Sequence, residues 1–280
     1  MAKPRKRRAA HGPVIAAVAQ SLAYLRSDAA RASIARDPYW PKWDSPWWHV
    51  LALREAGQPE VVPREVLVEL VEAATRHYLP FFPRPPEVLP PGKNARTDVI
   101  CFCALGSLLC AADGVATIPW ADDFIVRYQL PDGGWNCDED SRVSSIVSTV
   151  PVLEYLLTRP GLRPVLERGM TYLLERGLFR SKRTGAVIDE TWLHPSLPRF
   201  YQYDVLRGLR LVARWGGAPI PREALEGLRP LRVRSWPSSD EARREHGAES
   251  SFPLCDALGR PANALPILEA ELAAVGPSLA

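Results

Sequence analysis

Tyr128-Gln-Leu-Pro-Asp-Gly-Gly-Trp-Asn-Cys137 runs into the acidic segment Asp138-Glu-Asp140, and then into Ser144-Ser-Ile-Val-Ser-Thr-Val-Pro-Val-Leu-Glu-Tyr-Leu-Leu157. The middle of the first stretch is turn chemistry. Pro131 fixes φ, Asp132 can bond its own backbone, and Gly133 and Gly134 permit positive φ. A helix running through Tyr128 therefore stops at the turn. A second starts near Ser144, whose hydroxyl can cap free N–H groups. Trp135 falls just past the break, where its face can pack across two helix ends, so it is expected to be buried. Helix, Gln, Gly-rich turn, Trp and helix form a unit that makes sense when repeated.

Working outward, the chain reads as helices joined by proline-rich connections. Residues 14 to 36 form one long helix or two joined ones. Tyr39 to His49 holds four tryptophans in nine positions, with Asp44 or Ser45 as N-cap and Pro46 in the first turn of a helix that Gly57 closes. Pro63 to His77 is amphipathic, with Val66, Leu67, Leu70, Val71 and Ala74 on one side. Thr97 caps a run from Asp98 to Ala112 that is apolar on all sides, so a helix there is buried all round. Trp120 to Tyr128 and Leu162 to Leu178 are the next helices of more polar character. Arg199 to Trp215 puts Val205, Leu209 and Val212 on one face, and Pro221 to Leu231 follows. After Trp236 the chain reads as irregular apart from a short helix near Ala264 to Ala274. The buried helices start near Ser45, Thr97, Ser144 and Phe200, roughly fifty residues apart with an amphipathic helix between each pair, which marks a helical array.

Gln129, Gly133 and Trp135 resemble the Gln–Gly–Trp repeat of the terpenoid cyclase and protein prenyltransferase superfamily. The resemblance spans residues 14 to 236. It implies an all-α fold, an α–α toroid of concentric inner and outer helices around a central cavity; the sequence itself counts four to five helix pairs, slightly fewer than the family's usual ring. Residues 97–112, 144–157 and 199–214 would form inner helices, and 64–78, 120–129 and 163–178 outer ones. It also implies an isoprenoid or other small apolar ligand, bound by a cyclase, a transferase or a protein without activity.

Composition sets wider bounds. The chain has 280 residues, enough for one or two domains, and a net charge of +3, with much of the excess in Lys3 to Arg8. Residues 1–13 read as a solvated, disordered basic tail rather than a nucleic-acid patch, and 14–280 as a single domain. The apolar run from Val14 to Ala19 is too short to span a bilayer. Five cysteines, three of them between Cys101 and Cys110, do not make a disulfide framework, which fits a reducing cytoplasm. No nucleic-acid partner is expected; peripheral membrane contact and oligomeric state stay open.

In a toroid, inner-helix N-termini face the cavity mouth and favour anionic groups. The residues expected there are Trp47, Trp48 and His49; Asp98 and Cys101; Ser144, Ser145 and Ser148; and Tyr201, Tyr203, Asp204 and Arg207. Each of the aromatic residues reads equally as helix-end packing, and His49 and His194 as structural histidines. Asp138-Glu-Asp-Ser141 matches the cyclase acid motif Asp-x-Asp-Asp at Asp140 and departs from it at Ser141, so it also reads as a solvated loop. With His194, Tyr201, Tyr203 and Asp204, Asp140 completes the set of candidate acid–base groups. His194, Tyr201 and Asp204 are expected to converge on one site.

Neither zinc nor magnesium is implied by the family's motifs. The magnesium motif Asp-Asp-x-x-Asp is missing, because Asp122-Asp123 continues as Phe-Ile-Val. The zinc motif Asp-x-Cys gains a spacer between Asp98 and Cys101, and Gln202 stands where the zinc histidine would be. Cys101 and Cys103 read as small mid-helix hydrophobes. Two further classes fit the pattern. Nine tryptophans admit a carbohydrate-active α–α barrel, and the repeat admits a helical scaffold for a protein partner. An apolar pocket, an open polar groove lined by Trp, or a filled centre would separate the three.

Overall fold

A computed structural model of the chain describes residues 12–42, 45–83, 88–230 and 252–276. Among these residues the regular elements are helical, and strand-like pairing is limited to one antiparallel bridge between Arg180 and Val187. The α-helices are α1 (Gly12–Leu25), α2 (Asp28–Arg36), α3 (Pro46–Glu55), α4 (Arg64–His77), α5 (Phe102–Ala112) and α6 (Ala121–Arg127). They continue as α7 (Ile146–Leu156), α8 (Arg163–Leu174), α9 (Val205–Trp215), α10 (Arg222–Glu226), α11 (Pro253–Gly259) and α12 (Pro261–Val275). None of the described helices is long and apolar enough to cross a membrane.

The Gln–Gly–Trp stretch acts as a staple between helices. Gly133 adopts φ 100°, which lets the turn after α6 close. Gln129 Nε2 then donates to Gly133 O at 2.7 Å and to Val165 O at 2.9 Å, tying the turn to α8. Trp135 is fully buried; its indole Nε1 donates to Ile125 O of α6 at 2.9 Å, and its backbone N donates to Thr149 Oγ1 of α7 at 3.0 Å. One short motif thus fixes three helices.

The two apolar helices form the centre of the core. All of α5 except Cys110 is buried, as its all-round apolar character predicts. It meets α7 so closely that a Cβ on Gly106 would lie 2.5 Å from the backbone carbon of Pro151. From there helix contacts run in a cycle: α3 packs on α5, α5 on α7, α7 on α9, α9 on α12, α12 on α11, and α11 on α3. In addition, α4 packs on α5, α8 on α7 and α10 on α9.

Three helix starts differ from the sequence expectation, each because a side chain already has another partner. The helix expected from Thr97 begins at Phe102. Asp98 instead closes its own turn, its carboxylate accepting from Asn94 N at 3.2 Å and Thr97 Oγ1 at 2.9 Å. Ser144 is not a cap; its hydroxyl donates to Asp132, and α7 starts after Ser145. Residues 199–204 are not helical, since Phe200 takes a left-handed φ of 53°, and Asp204 becomes the N-cap of α9 by accepting from Arg207 N at 2.9 Å.

Other boundaries move too. The segment 14–36 is two helices, separated where the Ser27 hydroxyl accepts from Ala30 N. α1 already begins at Gly12, so residues 12 and 13 belong to it; the rest of the expected basic tail, and Asp44, lie outside the described residues. The helix expected over 221–231 is limited to Arg222–Glu226, with Leu231 outside the described residues. In the C-terminal region the short helix expected near Ala264 to Ala274 is present as the longer α12, and α11 is a further helix in a stretch expected to be irregular.

Candidate functional site

A cavity of about 350 Å³ lies among residues of α3, α5, α7, α9 and α12. α9 supplies its most regular wall. Asp204 caps the helix and Gly216 ends it in the left-handed conformation, so Arg207, Arg210 and Arg214, spaced three and four residues apart, share one face. The opposite face, with Val205, Leu209 and Val212, is buried in the core. Arg54 and Glu55 enter from the end of α3, Glu154 from α7, Glu271 from α12, and Arg199 from the loop before α9.

The charges are arranged in pairs. Arg207 holds Glu154 in a bidentate pair, with Nε and Nη2 at 3.0 and 2.7 Å from the two carboxylate oxygens. Its Nη1 donates to Phe200 O at 3.0 Å and Gln202 O at 2.9 Å, so the whole guanidinium is satisfied. Arg199 bridges Asp204 at 2.6 Å and Glu271 at 2.8 Å, and Arg210 also donates to Glu271. Glu55 accepts from the backbone N–H groups of Arg199 and Phe200, which pins the irregular loop to α3.

Two of the carboxyls are pushed in opposite directions. Burial raises the pKa of Glu55, and the opposing pull of Arg199 and its backbone donors does not cancel the shift. Burial would also raise Glu154, but the charge and hydrogen bonds of Arg207, aided by Arg210 and Arg214, hold it below the usual carboxylate range. Five arginines and four carboxyls line the cavity, with Asp113 as the fourth, and one of those carboxyls is biased toward its neutral form. Arg54 and Arg214 make no hydrogen bond or ion pair among the described residues. The cavity therefore offers uncommitted positive charge.

The residues selected from the sequence are distributed differently. Arg207 alone among them lines the cavity. His194, Tyr201 and Asp204 do not converge there. His194 Nδ1 pairs with Pro230 O at 2.8 Å, Tyr201 lies against Trp48 and Lys42, and Asp204 is a buried cap and ion-pair partner. Tyr203 is buried and donates to Leu178 O at 2.9 Å, and Asp140 is exposed in a turn where its N–H donates to Asp138.

Trp47 and Trp48 are core residues, and Trp48 Nε1 donates to Tyr39 O at 3.1 Å. His49 is buried, stacked 3.8 Å from Phe252 and with the tilted ring of Tyr24 at 4.4 Å. Asp98, Ser144 and Ser145 serve turns and a helix start, as described above. Sequence reasoning passed over Glu55, Glu154, Arg210, Arg214 and Glu271, although Arg207, Arg210 and Arg214 recur at helical spacing on one face of α9.

A second cluster lies apart from the cavity lining. Cys101 is the N-cap of α5, Cys103 is in its first turn, and Cys137 follows the Gly-Gly-Trp turn. Their sulfur atoms all lie within 4.8 Å of one another. Cys101 and Cys103 are 3.0 Å apart, and Cys137 is 3.5 Å from Cys103. Ser148 closes the group from α7, its hydroxyl donating to Cys137 Sγ at 3.1 Å and accepting from Cys137 N at 3.0 Å. The hydrogen bonds from Cys101 and Cys103 pull Cys137 toward thiolate, while Cys103 is pushed up, first by its bond to Cys101.

No protein-family model matches the chain, and no curated protein or solved structure is significantly similar to it. The chemistry is therefore read from the two sites themselves.

Proposed function

We propose that this chain is an α–α toroid that binds a small acidic ligand, a diphosphate or carboxylate, in its central cavity. The cycle of contacts from α3 through α5, α7, α9 and α12 supports the ring. The single observation that carries the ligand class is the pair Arg54 and Arg214, which face the cavity without a carboxylate partner among the described residues. An arginine in that state favours a bidentate oxyanion. Arg207 and Arg210, already paired, set the field around them. The cavity has a charged lining, so it recognises the head of a ligand; an isoprenoid diphosphate is the form of such a ligand that the family resemblance implies. No tryptophan is among the lining residues, which gives the carbohydrate-barrel reading no support.

Thermal shift with pyrophosphate, farnesyl diphosphate, farnesol and a neutral oligosaccharide tests this directly. Both diphosphates should raise the melting temperature, and the neutral compounds should not; at a ligand concentration of 100 times Kd the stabilisation is about 2.7 kcal/mol. Stabilisation by farnesol or the oligosaccharide without any by the diphosphates would reverse the assignment.

A further inference from the structure

The three-thiol cluster stands on observations independent of the cavity. Cys101 and Cys103 arrive at one vertex because an extended N-cap residue and the first turn of α5 put their side chains on the same end of the helix. Cys137 is carried to that vertex by the Gly-Gly-Trp turn, which Trp135 and Thr149 lock in place. A disulfide would use two sulfurs and leave the third without a purpose. Three sulfurs around one point form instead a donor set for a soft or borderline cation. With zinc–sulfur bonds of about 2.3 Å, a tetrahedral site has sulfurs about 3.8 Å apart. The separations of 3.0 and 3.5 Å are somewhat shorter than that edge and all pairs lie within 4.8 Å, so a small outward movement of the sulfurs is what an ion at their centre requires.

We propose that Cys101, Cys103 and Cys137 bind one Zn(II) through three thiolates, with water in the fourth position. This donor set differs from the Asp-x-Cys and His arrangement of the prenyltransferases. The N-terminal end of α5 favours negative charge, which stabilises thiolates there. Ser148 has the outer role. Its hydroxyl donates to Cys137 Sγ and accepts from Cys137 N, orienting that ligand from α7 as outer partners of metal ligands do. Cys101 and Cys137 are only half-buried, which gives the ion a way in. Binding displaces the remaining thiol protons to solvent, and no atom changes oxidation state.

The test uses the reduced full-length chain, titrated with Zn(II) against a chromophoric chelator and then dialysed for metal analysis. One zinc per chain is expected. Cys101→Ser and Cys137→Ser should abolish retention, Cys255→Ser should keep it, and Ser148→Ala should weaken affinity by about tenfold or more. Because a serine variant can fail to fold, Co(II) is added in parallel to the unmodified chain. A tetrahedral visible spectrum with a thiolate-to-cobalt charge-transfer band sized for three sulfurs is expected. Absence of that band, zinc retention unchanged in a folded variant lacking Cys101 and Cys137, or uptake of Cu(I) without Zn(II) would each overturn the assignment.

Discussion

At His49 burial has removed the charge. The ring is stacked on Phe252 with Tyr24 tilted against it, its Nδ1 has no partner among the described residues, and its pKa is pulled down to about 3 by burial. An unfolded histidine titrates near 6.5. The neutral folded ring therefore contributes stability that is fully present above pH 6.5 and is lost as pH falls from 6.5 toward 3, at up to about 1.4 kcal/mol per pH unit. Melting curves of the parent and of His49→Phe between pH 7 and 4 should show the parent losing stability more steeply; parallel slopes would contradict a neutral buried ring. Trp135 offers a second test, because it is fully buried and its indole is bonded to Ile125 O. Trp135→Ala should lower unfolding free energy by about 3–5 kcal/mol in denaturant titration. A loss below about 1 kcal/mol would mean that the staple is peripheral. The burial of Trp135 was legible in the sequence because Pro131, Asp132 and the two glycines dictate a turn and leave the tryptophan at its exit. The roles of Tyr203 and Asp204 were not, since both look like acid–base groups until their partners, Leu178 O and the α9 N–H groups, are visible.

Helices were legible wherever apolar coverage was extreme. α5 and α7 are buried as their composition predicts, whereas their starts were displaced by bonds that compete locally with the helix. Asp98 bonds back to Asn94, and Ser144 bonds across to Asp132; neither partner is deducible from helical period alone. On α9 the apolar face and Arg207 were recognised, whereas Arg210 and Arg214 were overlooked, because burial pattern points to the core and away from a cavity. The cluster of Cys103 and Cys137 was hidden for another reason: 34 residues separate them, and the Gly-Gly-Trp turn together with the α5–α7 approach brings them into contact. That approach depends on Gly106. Its missing side chain leaves the backbone of Pro151 room at a position where a Cβ would meet it at 2.5 Å. Gly106→Val should therefore destabilise the fold by about 1–3 kcal/mol or more through overpacking. An unchanged denaturation midpoint would show that the two helices do not meet so closely.

Over the whole molecule, charged groups from helices far apart in sequence meet at one cavity. Glu55, Glu154 and Glu271 come from α3, α7 and α12, and each is held by arginine side chains or by the backbone of the loop before α9. A buried pair such as Glu154–Arg207 is weak evidence for added stability, since desolvation offsets much of the attraction, but removing one partner leaves a charge uncompensated. Glu154→Gln is accordingly expected to cost about 3–5 kcal/mol by thermal or chemical unfolding. A change within about 0.5 kcal/mol would mean that solvent already screens the pair. With those pairs satisfied, Arg54 and Arg214 are the cavity arginines without an ion-pair partner among the described residues. Isothermal titration of pyrophosphate into the parent chain and into Arg54→Ala/Arg214→Ala addresses that assignment most directly. The parent should bind one pyrophosphate per chain, and the doubly substituted chain, still folded by circular dichroism, should bind it at least about tenfold more weakly, the loss of a charge-assisted hydrogen bond being about 1.5–3 kcal/mol. Equal affinity in the two proteins, or no binding heat in the parent, would contradict it.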